Sequence, residues 1–417
     1  MIWKLSPESF MQQHAKEGFR WLSANQHDTA RAARTNMTFA GMAAFEALVR
    51  FEASAPRELI VSLYNRGDTK QLDESDFQKL LQNVETNLTA WTGMKGILFK
   101  TQERTSAAIL QRKSWIKEPY RVDLVWSFSE KSQTYGINAP RPEFARLQIT
   151  PFDPMQDPRK TILATGAPAP LKQLTLMELR TRVKREPNGD VLIPSVPMVD
   201  QGQKGYCAAA VAERLLRYYG RSLDQHEIAQ LANTTSDGGT TSKDMVAALR
   251  RVSTETKMDV AVLYDFDLQA YDLTVADYNL LAKRARKPEV TNKRRDNGFI
   301  YVDSISNVYK EMDPTLLREA RLKREGKMAE FKAAITKYVN SGVPLAWSCM
   351  VGVVKEKLVP QGFGGHMRLI IGYNDRTKEI LYTDSWGAGH EVKRFSLADT
   401  WTITMGLYSL QPREIRL

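Results

Sequence analysis

The chain has 417 residues, 59 Lys+Arg against 48 Asp+Glu for a net charge of +11, and 42% hydrophobic and 26% charged residues. That length exceeds one ordinary core and predicts two to three domains, and that composition excludes disorder of the whole chain. Two cysteines without a CxxC pair exclude a disulfide framework and a structural zinc site, no apolar run reaches the ~18 residues of a membrane span, and the basic surplus favours acidic partners without any nucleic-acid-binding signature.

Met1 to Ser6 contain no apolar signal core. The expectation is a cytoplasmic protein, or a secreted or periplasmic one if a leader has been removed. Residues 7–18 read as a short helix, and apolar runs at 37–52 and 59–64 as strands, with Asn65-Arg66-Gly67-Asp68 as a turn rather than an adhesion motif. Asp73 opens a helix in which Phe77, Leu80, Leu81, Val84 and Leu88 share one face, and Gly93 stops it. Strand-like runs follow at 96–100, 106–112, 120–128 and 144–150, so residues 1–150 read as an α+β unit.

Pro151, Pro154, Pro158, Pro168 and Pro170 mark 151–173 as a linker. A basic helical stretch at 175–186 and a Pro187-Asn188-Gly189-Asp190 turn complete a connecting segment at 151–190. Residues 191–417 read as one further domain, with helices at 207–219, 224–233, 243–253 and 326–340, and strands at 344–354, 367–373, 379–384 and 403–410. Between them Lys283, Arg284, Arg286, Lys287, Lys293, Arg294 and Arg295 read as a solvated basic loop, because no aromatic residues interleave them as a stacking platform requires.

The sharpest local signal is Gln201 to Ala210. Cys207 stands where a glycine-bearing loop gives way to a helix, with Val211, Leu215 and Tyr219 on the helix's apolar face and Glu213, Arg214 and Arg217 turned away from it. A thiol at a helix N-terminus meets free N–H groups and the positive end of the dipole, both of which favour thiolate. Two glycines, Gly364 and Gly365, precede His366, which opens an apolar strand. Asp384 ends another strand; a hairpin would bring its carboxylate to the imidazole, whose tautomer it would hold. Gln201, six positions before Cys207, offers a side-chain amide that would pair with the Cys207 N–H as an oxyanion hole. Each of these residues alone has a plainer reading: a small buried thiol, a structural histidine, a turn. Cys349 sits in an apolar run and reads as core, His390 as surface, and His14, His27 and His226 have no evident partners.

Together the motifs resemble papain-like cysteine peptidases, in particular the bacterial branch related to peptidases that trim bacteriocin leaders in ABC exporters. The matching residues are Gln201, Gly202 and Cys207, then His366 through Gly372-Tyr373, then Asp384-Ser385-Trp386-Gly387. The resemblance implies a two-lobed α+β fold, helix lobe plus antiparallel sheet lobe, preceded by a separate α+β accessory domain. It implies Cys207 as nucleophile, His366 as base then acid, Asp384 as orienter, Gln201 as oxyanion donor and Trp386 as a shield for the Asp384–His366 hydrogen bond. Asp384 departs from papain's Asn and Ala208 from its Trp, and both departures look like the bacterial branch, as do Asp224 to Ala229 and Gly238-Gly239-Thr240. The motifs cover about 191–410; residues 1–150 resemble N-terminal regions attached to bacterial peptidases of this type. The expected chemistry is cleavage of peptide bonds in a peptide or protein substrate through a thioester, with no metal or organic cofactor and no specific nucleic acid, the oligomeric state left open. The rivals are another thiol acyl transferase or amidase, transglutaminase-like, and a catalytically silent peptide-binding module.

Overall fold

The computed structural model describes residues 2–68, 71–98, 103–105, 108–129, 140–152, 173–202, 205–221, 223–232, 234, 242–357 and 359–417. Most of the expected proline-rich linker (153–172) and the Gly238-Gly239-Thr240 motif lie outside these residues.

The first sheet contains β1 (Arg20–Trp21), β2 (Thr29–Phe39), β3 (Met42–Glu52), β4 (Ala55–Asn65), β5 (Ile97–Leu98), β6 (Glu103–Thr105), β7 (Ala108–Lys117), β8 (Tyr120–Ser129) and β9 (Arg141–Pro151). Its order is β1-β2-β3-β4-β9-β8-β7-β5, with β6 also on β7. The run 37–52, expected as one strand, is split. Ala40 and Gly41 take positive φ (48° and 76°) and form a two-residue hairpin between β2 and β3, and alanine there gives no turn signal in sequence. The helix Glu74–Thr92 forms as its periodicity requires: Asp73 Oδ1 accepts from the Asp76 N–H at 2.8 Å, and Gly93 closes it in the left-handed conformation. Phe77, Leu81, Val84 and Leu88 bury against Trp115, Val122, Leu124, Ala145 and Leu147 on one face of the sheet. The opposite face carries Glu46, Ser62, Ser127 and Arg146, and these too are buried. A charged sheet face withdrawn from water needs a partner that supplies counter-charges. The second half of the chain is that partner.

The second sheet contains β10 (Lys184–Arg185), β11 (Asp190–Leu192), β12 (Met258–Asp265), β15 (Leu345–Val351), β16 (Gly364–Asn374), β17 (Glu379–Thr383), β18 (Lys393–Ser396) and β19 (Thr404–Pro412), and β13 (Lys293–Asp296) with β14 (Phe299–Val302) forms a separate hairpin. The order is β10-β11-β16-β15-β19-β12, extended by β17 on β16 and β18 on β17, antiparallel throughout. Helices Cys207–Tyr218, Gln225–Leu231 and Ser242–Thr256 make up the helical side, and Glu325–Asn340 also packs against β16. This is the helix-plus-antiparallel-sheet architecture expected of a papain-like fold. The helical stretch expected at 175–186 is shorter, Leu176–Thr181, and β10 already belongs to this sheet. Leu174 and Leu179 sit in the second core. The basic stretch expected as a loop is instead the last turn of helix Leu268–Arg284, a short connection, and β13.

Among the described residues no helix is long and apolar enough to cross a membrane, and no group of three His, Cys, Asp or Glu is placed to hold a metal.

Candidate active site

Cys207 is the first residue of its helix. Four of the next five residues are alanine, the strongest helix former, and their small side chains are buried in the core that the helix shares with the sheet. Tyr206 at the N-cap supplies no side-chain hydrogen bond, so the first-turn N–H groups stay open to an anion. His366 and the backbone N–H groups of Ala208 and Met367 surround the sulfur and favour its ionised form. Cys207 remains partly accessible, whereas Cys349 is fully buried on β15, directly opposite His366 in register.

His366 is buried on β16. Its Nε2 meets Asp384 Oδ1 at 2.7 Å, just beyond the end of β17. Its Nδ1 has no conventional hydrogen-bond partner among the described residues and is the nitrogen left to Cys207. Trp386 stacks on the imidazole, centroids 4.4 Å apart and planes 7° from parallel, covering one face of the ring. Gln201 is buried, and its N–H donates to the Ser385 carbonyl at 2.9 Å, which ties the loop before Cys207 to the turn that carries Asp384. The structure therefore brings all five predicted site residues, Gln201, Cys207, His366, Asp384 and Trp386, into one neighbourhood.

Burial pushes the Cys207 thiol up, but the His366 hydrogen bond and charge and the two N–H groups outweigh it, and the net shift is downward. Burial pushes His366 down; the Asp384 and Cys207 interactions overcome this and raise it to about 9. Burial raises Asp384, while the His366 hydrogen bond and the Arg368 charge bring it below the ordinary range. All three shifts run towards the charged forms: thiolate, imidazolium and carboxylate. At Cys349 burial outweighs the Arg368 charge and pushes the thiol to about 12. Iodoacetamide at mildly acidic pH is expected to alkylate Cys207 and leave Cys349 untouched in the folded chain, as read by peptide mass mapping; equal labelling would contradict an activated site.

Two arginines that sequence reasoning did not place complete the site. Arg214, expected on the outward face of its helix, is fully buried. It donates to the carbonyls of Asp384 (2.6 Å) and Pro197 (2.8 Å) and to Thr383 Oγ1 (2.7 Å). It thus locks the Asp384 turn to the helix that starts at Cys207. Arg368 Nε lies 3.1 Å from Asp384 Oδ2, and its other end pairs with Glu356 at 2.7 Å. Glu356 also accepts from Tyr382 Oη at 2.5 Å and Lys393 Nζ at 3.0 Å. A charged group after a motif histidine reads as a strand's solvent face, and only the tertiary fold shows otherwise. His390, expected at the surface, is buried; its carbonyl accepts from the Asp384 N–H (3.0 Å) and Thr383 Oγ1 (2.9 Å).

The first sheet reaches the same neighbourhood. Arg31 bridges Glu46 and Asp200, the latter at 2.6 Å, and the second Asp200 oxygen accepts from the Gly202 N–H at 2.9 Å. Tyr206 Oη donates to Asn65 Oδ1 at 3.2 Å, and Asn65 also meets His226. Gly67 is required there, because a Cβ would fall 2.7 Å from the Tyr206 hydroxyl. Farther out, Arg146 pairs with Asp224 and Glu227, Ser127 donates to Gln230 at 2.7 Å, and Arg66 to the Thr234 carbonyl at 2.5 Å.

Residues 195–276 match the model of the Peptidase C39 family. That segment spans the Gln201 loop and the Cys207 helix and ends before His366 and Asp384. No curated protein matches the chain. Among solved structures it is similar to that of xylellain, a cysteine protease from Xylella fastidiosa, at 13% identity and a TM-score of 0.27, covering 57% of this chain and 89% of that one.

Proposed function

We propose that this chain, a papain-like cysteine peptidase whose residues 195–276 match the Peptidase C39 family, is an endopeptidase working through Cys207, His366 and Asp384 and a thioester intermediate. The observation that carries this reading is the line from Asp384, hydrogen-bonded to His366, to a partly accessible thiol beside the imidazole at a helix N-terminus. The Cys207 thiolate attacks a peptide carbonyl carbon, and the negative charge moves to the carbonyl oxygen. The Cys207 N–H and the Gln201 side chain stabilise that oxyanion. Removing one such donor costs roughly 2.7–4 kcal/mol of transition-state stabilisation. His366 gives its proton to the leaving amine as the C–N bond breaks, leaving a thioester. It then takes a proton from water, whose hydroxide displaces the sulfur and releases the new carboxylate. Asp384 holds the ring and its charge, and Trp386 excludes water from that bond.

Digestion of a diverse peptide pool, read by mass spectrometry, is expected to yield new amino termini. Ammonia release from glutamine without new termini would favour an amidase or transglutaminase instead.

The pH profile has a worked sign. His366 is raised from its ordinary 6.5 to about 9, so the imidazolium contributes stability fully below 6.5 and loses it as pH rises through about 9. kcat/KM should rise on the acid side as the thiolate forms and fall near pH 9 as His366 deprotonates, with the thermal midpoint declining over the same alkaline window. A plateau extending well above pH 10 would contradict the thiolate–imidazolium pair.

Residues 1–150 are read as an accessory domain, 151–190 as the connection and 191–417 as the peptidase unit. The contacts of Arg31 with Asp200 and of Asn65 with Tyr206 support a bracing role for the accessory domain, because Asp200 immediately precedes the oxyanion donor Gln201 and Tyr206 immediately precedes the nucleophile.

A further inference from the structure

The hairpin β13–β14 takes no part in the chemistry above. Its strands pair Lys293 with Val302, Arg294 with Tyr301, Arg295 with Ile300 and Asp296 with Phe299, and among the described residues they join no other sheet. Asn297 and Gly298, both at positive φ (46° and 84°), make its two-residue turn. An isolated two-stranded ribbon is marginal, and this one is anchored at its base. Asn292 Nδ2 donates to Asp272 at 2.6 Å, and Arg294 Nε to Asp303 at 2.9 Å.

β14 is apolar on both faces, and its exposure climbs towards the tip: Val302 47%, Tyr301 50%, Ile300 64%, Phe299 78%. Lys293 and Arg295 stand exposed on the facing strand, and Lys283, Arg284 and Arg286 are exposed just before it. Within that basic stretch only Lys287 and Arg294 pair with carboxylates among the described residues, Lys287 with Asp313 and Arg294 with Asp303 and Glu311.

We propose that this hairpin docks the protein on an anionic lipid bilayer, with Phe299 and Ile300 entering the acyl boundary and Lys293 and Arg295 meeting headgroup phosphates. The pattern of exposure selects this occupant. A protein strand added at the hairpin's edge would pair its backbone but leave side chains uncovered on both faces. A single-stranded nucleic acid would stack on Phe299 and Tyr301, which share one face, and would leave Ile300 and Val302 uncovered on the other. A bilayer surrounds the tip and buries both faces together, deepest at Phe299, while the cations remain at headgroup level. One apolar finger with a few cations gives reversible attachment, not insertion.

The test is co-sedimentation of the full chain with vesicles of phosphatidylcholine alone or with phosphatidylglycerol added. The wild type is expected to sediment with the anionic vesicles only, and to be released by high salt. Phe299→Ser combined with Ile300→Ser should weaken binding by at least about tenfold. Lys293→Glu combined with Arg295→Glu should remove the preference for anionic lipid. Both variants should keep the wild-type peptidase rate and thermal midpoint, since neither pair touches the core or the site. Wild type left in the supernatant with anionic vesicles, or variants that bind as tightly, would overturn the proposal. So would a wild-type dimer that the Phe299 and Ile300 changes dissolve, or an oligonucleotide complex that Tyr301→Ala removes.

Discussion

Replacing His366 with alanine is expected to slow peptide-bond hydrolysis by about 10⁶-fold, the scale on which losing the nucleophile or its base removes a triad's contribution. His366 has two jobs, and the geometry ties both to one ring. As the imidazolium beside Cys207 it keeps the sulfur ionised, and as the proton donor it lets the amine leave. Asp384→Asn should cost less, about 10⁴-fold, because the ring and thiol remain. It should also leave a signature that simple damage would not. Asp384 is the larger of the two interactions that lift His366 to about 9 against its burial. Without it the alkaline limb of the rate profile should move to lower pH. Rates across pH for both variants, with circular dichroism to establish folding, check this. An Asp384→Asn enzyme with an unmoved alkaline limb would separate the carboxylate from the base.

Arg31→Met is expected to lower kcat/KM by about 10²-fold, although Arg31 lies in the other half of the chain from the nucleophile. Displacing a catalytic group by about 1 Å is enough for a loss of that size. Arg31 holds Asp200, Asp200 holds the Gly202 N–H, and Gln201 lies between them in sequence. Loosening this contact should shift the oxyanion donor while leaving the thiolate–imidazolium pair intact. The fall should therefore appear in kcat, with the rate of Cys207 alkylation nearly unchanged. Glu46 is buried and would lose its cation as well, so a stability loss of about 3 kcal/mol is expected in denaturant titration. A rise in activity would instead make the first sheet an inhibitor.

Local pattern carried the site further than it carried the fold. As candidates, Cys207, His366 and Asp384 stood out because Cys207 opens a helix, Asp384 follows a strand, and His366 comes after two glycines near the start of another. The helix Glu74–Thr92 was legible because one apolar stripe, a capping Asp73 and a terminating Gly93 agree. Arg214, Arg368 and Glu356 were not legible. A charged residue on a helix or strand looks the same in sequence whether it faces water or a buried carboxylate or carbonyl. The same ambiguity hid the charged face of the first sheet. Glu46, Ser62 and Arg146 alternate with apolar neighbours as an ordinary solvent face would, and only the facing Asp200, Asp224 and Glu227 show that the alternation marks an interface. The basic stretch near residue 290 misled for a related reason. The aromatic residues absent from it in sequence arrive from the next strand, where Tyr301 faces Arg294.

Acid quench during turnover of an activated ester, followed by peptide mass mapping, tests the central claim most directly. The acyl group should be found on the peptide that carries Cys207, and the Cys207→Ala chain should neither acquire it nor turn the ester over. An adduct on Cys349, or turnover undiminished in Cys207→Ala, would contradict the account.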